Sequence, residues 1–161
     1  MHKLTFEKFE EKDFPDYFKL VSDEQVMVYI TGRALPLDEA QAKYQKILER
    51  NQKQELFGSY KVSLYPTNDF FGFGHLIENE NDPDEAEIGY MMLSEYWGKG
   101  YGYTIASHLI DLAKAAKIIK LKAIIDPNNI PSRKILLKHG FTSEKICEIN
   151  GLPGEILRRG I

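Results

Sequence analysis

The chain has a single cysteine, Cys147, and can therefore form no internal disulfide. One thiol in 161 residues suits a reducing compartment and sets aside the disulfide-stapled secreted scaffolds. No apolar run approaches the length of a membrane span, and the charged N-terminal stretch has no signal-peptide core. A cytoplasmic protein without a membrane partner is expected. Repeats, low-complexity stretches and linkers are missing, so residues 1–161 are expected to form one domain with a sizeable core. Positive charge is in slight deficit as well, with 21 Lys and Arg against 24 Asp and Glu, a balance too modest to argue for a nucleic-acid partner. The shortage is uneven. Between residues 98 and 146, nine Lys and Arg face three Asp and Glu, and that modestly basic half suits a small polyanion.

The stretch that organises the rest runs from Glu87 to Ala116. Ile88 to Leu93 reads as an apolar strand that breaks at Ser94-Glu95 and passes through Trp97-Gly98-Lys99-Gly100-Tyr101-Gly102. Ile105, Ala106, Leu109, Ile110, Leu112, Ala113 and Ala116 then recur at helical spacing. Glycines at alternate positions between a strand and a helix permit a tight turn and leave backbone N–H groups uncovered. Those groups add to the orphan donors and positive dipole end of the helix, and Lys99 adds a cation, which together make a seat for phosphate. The plainer alternative is a turn whose glycines serve geometry alone. A P-loop is excluded because no Lys-Ser/Thr pair follows Gly100, and the dinucleotide fingerprint is excluded by Tyr103 and Ile105 where glycine would be required.

Along the rest of the chain, Leu4 to Phe9 alternates as a strand, and Asp13 stands where an N-cap would open a helix carrying Phe14, Tyr17, Phe18 and Val21. Pro36 opens a second helix with Leu37, Ala40, Tyr44, Ile47 and Leu48 on one face. Phe57 to Tyr65 and Phe70 to Ile77 are strands divided by the turn Pro66-Thr67-Asn68-Asp69. Glu78 to Glu85 reads as an acidic loop leading to the Glu87 strand. Ile118 to Ile125 is another strand, a short helix follows Asp126 to Pro131 and ends at Gly140, and Asn150-Gly151 turns a final hairpin. The fold class is therefore mixed α/β, with about seven strands and flanking helices.

Trp97 to Gly102 resembles the acyl-CoA pyrophosphate loop of the GNAT N-acetyltransferases, Gln/Arg-x-x-Gly-x-Gly/Ala. Trp97 replaces the Gln/Arg, a departure typical of the branch that acetylates ribosomal-protein N-termini (RimJ/RimL-like). A second block, Asn129-Ile130-Pro131-Ser132 with Leu136, Lys138, Gly140 and Phe141, resembles the family's Asn-x-x-Ser/Ala…Gly-Phe segment. The resemblance implies the GNAT fold, with mostly antiparallel strands, and direct transfer of acetyl from acetyl-CoA to a primary amine. The acceptor would be a peptide N-terminus or a small amine such as a polyamine, an aminoglycoside or an amino acid. No metal is implied, and Cys147 lies outside both blocks, so no covalent acyl-cysteine is invoked. A monomer or a homodimer is expected. The rival reading is a non-catalytic acyl-CoA-binding sensor.

The resemblance also assigns roles. Trp97, Gly98, Lys99, Gly100, Tyr101, Gly102 and Tyr103 would hold the pyrophosphate; Tyr90, Met91 and Met92 would carry the pantetheine arm on their backbone, with the Met92 N–H as oxyanion donor. Asn129, or Asn128 if the loop shifts by one, would bond the pantetheine amides, and Lys138 would approach the 3′-phosphate. Glu87 is the leading general base, through water; it could equally bind the ammonium or be merely solvated. His75 is the second candidate, although a lone strand histidine is commonly structural. The tyrosine that many family members use to protonate the thiolate would fall at Leu136, so the role passes to Ser132, whose other reading is a helix cap.

Overall fold

The computed structural model describes residues 3–161. One seven-stranded sheet runs in the order β1-β2-β3-β4-β5-β7-β6. Its strands are β1 (Leu4–Lys8), β2 (Gly58–Leu64), β3 (Phe70–Asn79), β4 (Asp82–Met92), β5 (Lys120–Ile125), β6 (Thr142–Ile149) and β7 (Leu152–Gly160). Every neighbouring pair is antiparallel except β4 and β5. Helices α1 (Phe14–Val21), α2 (Glu24–Met27) and α3 (Leu37–Lys53) cover one face, and α4 (Tyr101–Ala115) and α5 (Ile130–Lys138) cover the other.

The two apolar layers follow from strand alternation. Ala86 and Ile88 point to the α4 side, where they pack with Ile105, Leu109 and Leu121. Met91 joins Phe73, Tyr17, Tyr44 and Ile47 on the α3 side. Helix α3 buries Ala40, Tyr44 and Ile47, four and seven residues apart along one stripe. Among the described residues no helix is long and apolar enough to cross a membrane.

The helix ends differ in part from expectation. Gly140, at φ +85°, does end α5: Phe141 N–H reaches Leu136 O at 3.0 Å and Gly140 N–H reaches Leu137 O at 3.0 Å. Asp13 precedes α1 but its carboxylate does not cap it; Oδ2 accepts from Glu10 N–H and Oδ1 pairs with Lys61 Nζ at 2.9 Å. A half-buried cation is the stronger partner here.

The largest difference concerns the acidic segment. Residues 78–85 are no loop: β3 runs to Asn79, β4 starts at Asp82, and the two form a hairpin. Paired ions make this possible, since Lys120 Nζ binds Asp82 at 2.7 Å and Arg158 Nε binds the buried Glu85 at 2.9 Å. Glu87 consequently lies inside β4 rather than at its start.

A second buried carboxylate, Glu155 of β7, is fully enclosed and is held by Arg133 Nε of α5 at 3.0 and 3.2 Å. Removing the cation alone strands the charge, so Arg133→Met should cost about 3 kcal/mol, the low end for a broken buried pair because the guanidinium is partly open to water. Denaturant unfolding measures it. A loss under about 0.5 kcal/mol would mean that Glu155 is not held as a charge.

Candidate active site

The site starts where β4 and β5 part. They pair only at Glu85↔Lys120, Ala86↔Leu121 and Glu87↔Lys122. Beyond Glu87, β4 continues to Met92 and β5 to Ile125 with no ladder between them among the described residues. Leu93 N–H donates to Phe71 O at 2.9 Å on the β3 side, so strand alternation turns the backbone groups of Met92, Tyr90 and Ile88 the other way, into the opening. The Met92 carbonyl is taken there by the Trp97 indole Nε1–H at 3.0 Å. The Met92 N–H faces the same opening. Met91 differs: its backbone faces β3 and its side chain lies in the α3-side core.

The turn out of β4 is set by two left-handed residues. A short 3-10 turn, Ser94–Tyr96, leads to exposed Trp97, then Gly98 at φ +73° and Gly100 at φ +87°. Gly100 occupies the N-cap position of α4, and the helical ladder begins with Thr104 N–H to Gly100 O at 3.3 Å. The first-turn N–H groups of a helix have no intrahelical acceptor and carry the positive end of its dipole. A Cβ on Gly98 or Gly100 would meet nothing within 4 Å, so the space above the loop is open. Gly102 is different. It is buried, and a Cβ there would come within 2.8 Å of Ile135 Cδ1 and 3.3 Å of Met92 Cε, so the missing side chain lets α4 approach α5. Lys99 is exposed and sits 5.9 Å over the Tyr96 ring. Tyr101 packs in the core near Phe71, while Tyr103 is exposed and stacks on His139 at 4.0 Å. That stack brings the C-terminal end of α5, with exposed Lys138, beside the first turn of α4.

Opposite the opening stands the N-terminus of α5. Its cap is Asn129, whose Oδ1 accepts from Ser132 N–H at 3.4 Å, whereas Asn128 is exposed. The capping role considered for Ser132 therefore belongs to Asn129. Ser132 is buried, and its hydroxyl donates to the Tyr90 phenol at 3.2 Å. The sequence reading gave Tyr90 only a backbone role; its side chain is the contact that reading missed, because it joins residues 42 apart. Leu136 is fully buried in the α4-side core and has no polar atom to offer.

An acetyltransferase (GNAT) domain family matches residues 3–142. The chain belongs to the GNAT acetyltransferase family. It is 29% identical over 144 residues to the uncharacterized protein YkkB of Bacillus subtilis, covering 84% of this chain and 80% of that one. It is 26% identical over 146 residues to the uncharacterized N-acetyltransferase p20 of Bacillus licheniformis, covering 88% and 80%. A GNAT-family acetyltransferase structure from Bacillus anthracis superposes with a TM-score of 0.78 at 22% identity, over 100% of this chain and 96% of the other. The aminoglycoside acetyltransferase AAC(6')-Ib in complex with coenzyme A gives 0.79 at 18% identity, over 98% and 95%. At these identities the structures share the fold.

Within this GNAT sheet, Glu87 and His75 lie on the same, α3-facing side, since Glu87 pairs with Ile77 and His75 with Gly89. The Nε2 end of the His75 ring fills the space a side chain at Gly89 would need, where a Cβ would be 2.5 Å from Nε2. Burial, with Arg50 nearby, pulls the His75 imidazole down to about 4, so it is neutral and a weak base at pH 7. Glu87 moves the other way. Burial raises its carboxyl above the usual range, helped by Glu85 and opposed by Lys122 and Arg50.

Proposed function

We propose that this GNAT enzyme transfers acetyl from acetyl-CoA directly to a primary amine, in a ternary complex, with Glu87 as general base. The observation that carries the reading is the continuous path from the unpaired β4 edge through the left-handed Gly98 and Gly100 to the N-terminus of α4. An extended pantetheine could bond that edge as an added strand, and a pyrophosphate could sit on the loop. Trp97, Gly98, Lys99, Gly100, Tyr101, Gly102 and Tyr103 would form the phosphate end, with Lys138 near the 3′-phosphate. Asn129 keeps its amide N–H₂ for the pantetheine while its oxygen caps α5. The Met92 N–H is the oxyanion donor in this reading. A raised Glu87 is better matched to taking a proton near neutral pH than an imidazole held near 4.

Trp97 and Ser132 support the RimJ/RimL-like branch, and with it a peptide N-terminus as acceptor. An α-amino group ionises near 7.7–8.0, against about 10.4 for a lysine side chain, so a modest base suffices for it. A screen of unblocked peptides, polyamines, amino acids and aminoglycosides, read by mass, tests this. Acetylation of peptide α-amines is expected; product from aminoglycosides alone would move the enzyme to the small-molecule class. The domain spans 1–161, needs no metal or nucleic acid, and works as a monomer or homodimer in the cytoplasm.

Ser132 would steady the leaving thiolate. One hydrogen bond to a developing charge contributes about 1.5–3 kcal/mol, or about ten- to a hundredfold in rate. Ser132→Ala should slow turnover by that factor with acetyl-CoA affinity nearly unchanged, and because Asn129 holds the cap the helix should survive. Normal turnover would remove Ser132 from the mechanism.

A further inference from the structure

Every polar group of Ser132 is already engaged. Its N–H is held by Asn129 Oδ1 at 3.4 Å, its carbonyl faces the Tyr90 hydroxyl at 3.4 Å, and its own hydroxyl meets the same phenol at 3.2 Å. The phenol reaches this point from near the C-terminal end of β4, two residues before the Met92 N–H. Tyr90 therefore ties the strand that would carry the pantetheine to the serine proposed to meet its sulfur.

We infer that Tyr90 is a positioning residue that fixes the Ser132 hydroxyl toward the departing thiolate, so that the pair stabilises sulfur by hydrogen bonding without either hydroxyl surrendering its proton. This rests on the assignment of Ser132 above. In the transfer step the amine nitrogen bonds to the acetyl carbon, the C–S bond breaks, and its electron pair leaves on sulfur. The amine proton goes to Glu87 through water, and the thiolate takes its proton from solvent afterwards. With sulfur present, Ser132 O–H turns to it and the Tyr90 phenol donates to Ser132 Oγ.

The acidities favour this over proton donation. Burial pushes the Tyr90 phenol up to about 12, against a smaller opposing effect of the Ser132 hydrogen bond. A cysteine thiol ionises near 8.5, and a plain alkyl thiol, without the electron-withdrawing peptide groups, higher but still below this phenol. A proton passed from phenol to thiolate would therefore climb in energy, each unit of the gap being a factor of ten in equilibrium. A hydrogen bond involves no such climb.

The test uses coenzyme A itself and needs no acceptor. The ionisation of the bound thiol is followed by ultraviolet difference absorbance against the desulfo-coenzyme A complex, which cancels the tyrosines. In the parent, the bound thiol should ionise about one to two pH units below its value in Ser132→Ala, the worth of one charge-assisted hydrogen bond. Tyr90→Phe should lose most of the same shift, and the double variant should lose no more than Ser132→Ala. Tyr90→Met, which also lacks the hydroxyl, replaces Tyr90→Phe if the latter melts early. Equal ionisation in the parent and Ser132→Ala would remove the Ser132 assignment itself. A full shift retained in the Tyr90 variants, or additive losses in the double variant, would overturn the role of Tyr90 and leave Ser132 standing.

Discussion

Gly100→Val should abolish coenzyme A binding and leave the fold standing. Gly100 sits at φ +87° at the head of α4, a conformation that a β-branched residue resists at a cost of about 1–3 kcal/mol. Nothing lies within 4 Å of the new Cβ, so the strain has no packing component. The loop can relieve it by leaving the left-handed turn, which re-aims the N–H groups on either side. Each lost bond to a charged phosphate weakens binding by about 1.5–3 kcal/mol, so affinity should fall at least about a hundredfold. Gly102→Val is the control. Its side chain would press on Ile135 and Met92, so it should lower the melting temperature first and binding only in consequence. Titration calorimetry on folded Gly98→Val and Gly100→Val variants decides: unchanged affinity in both would remove the phosphate seat.

Glu87→Gln should lower the rate at neutral pH by about 10²–10⁴-fold, the usual worth of a positioned general base. The sign of its pH dependence follows from the raised carboxyl. The base form is present above that elevated value and lost as pH falls through it, so the parent should show an acid limb above the ordinary carboxylate range. The variant should lack that limb and recover at high pH, where the amine is already free. A loss under about threefold at pH 7, far below the range for a base, would return Glu87 to a structural role.

How much of this was legible in the chain depends on range. The Gly98–Gly100 turn, the helical stripe of α4, the Gly140 terminator and the Asn150-Gly151 turn are local devices, and each appears where its residues put it. Local chemistry misled at Glu78–Glu85, where a run of acids reads as a solvated loop. Lys120 and Arg158, distant in sequence, neutralise Asp82 and Glu85 and turn the run into a hairpin. Gly102 looked like one more phosphate glycine; only the approach of α5 shows that its missing side chain serves packing. Ser132 was read as a possible cap of its helix, and only the geometry gives that place to Asn129. The Tyr90 phenol was invisible because a strand pattern says which face a side chain takes, not which helix crosses it.

The central claim is that the site turns over rather than merely holds its ligand, and Leu136, buried where a tyrosine is common in the family, makes that the decisive question. Acetyl-CoA mixed with the protein and a panel of unblocked peptides and small amines, followed by free-thiol release and by the mass of the amine, answers it. The account predicts stoichiometric thiol and acetylated amine, both strongly reduced in Glu87→Gln. Tight acetyl-CoA binding with no acetylated amine, in a panel that spans peptides, polyamines, amino acids and aminoglycosides, would contradict it and leave a coenzyme-binding protein in its place.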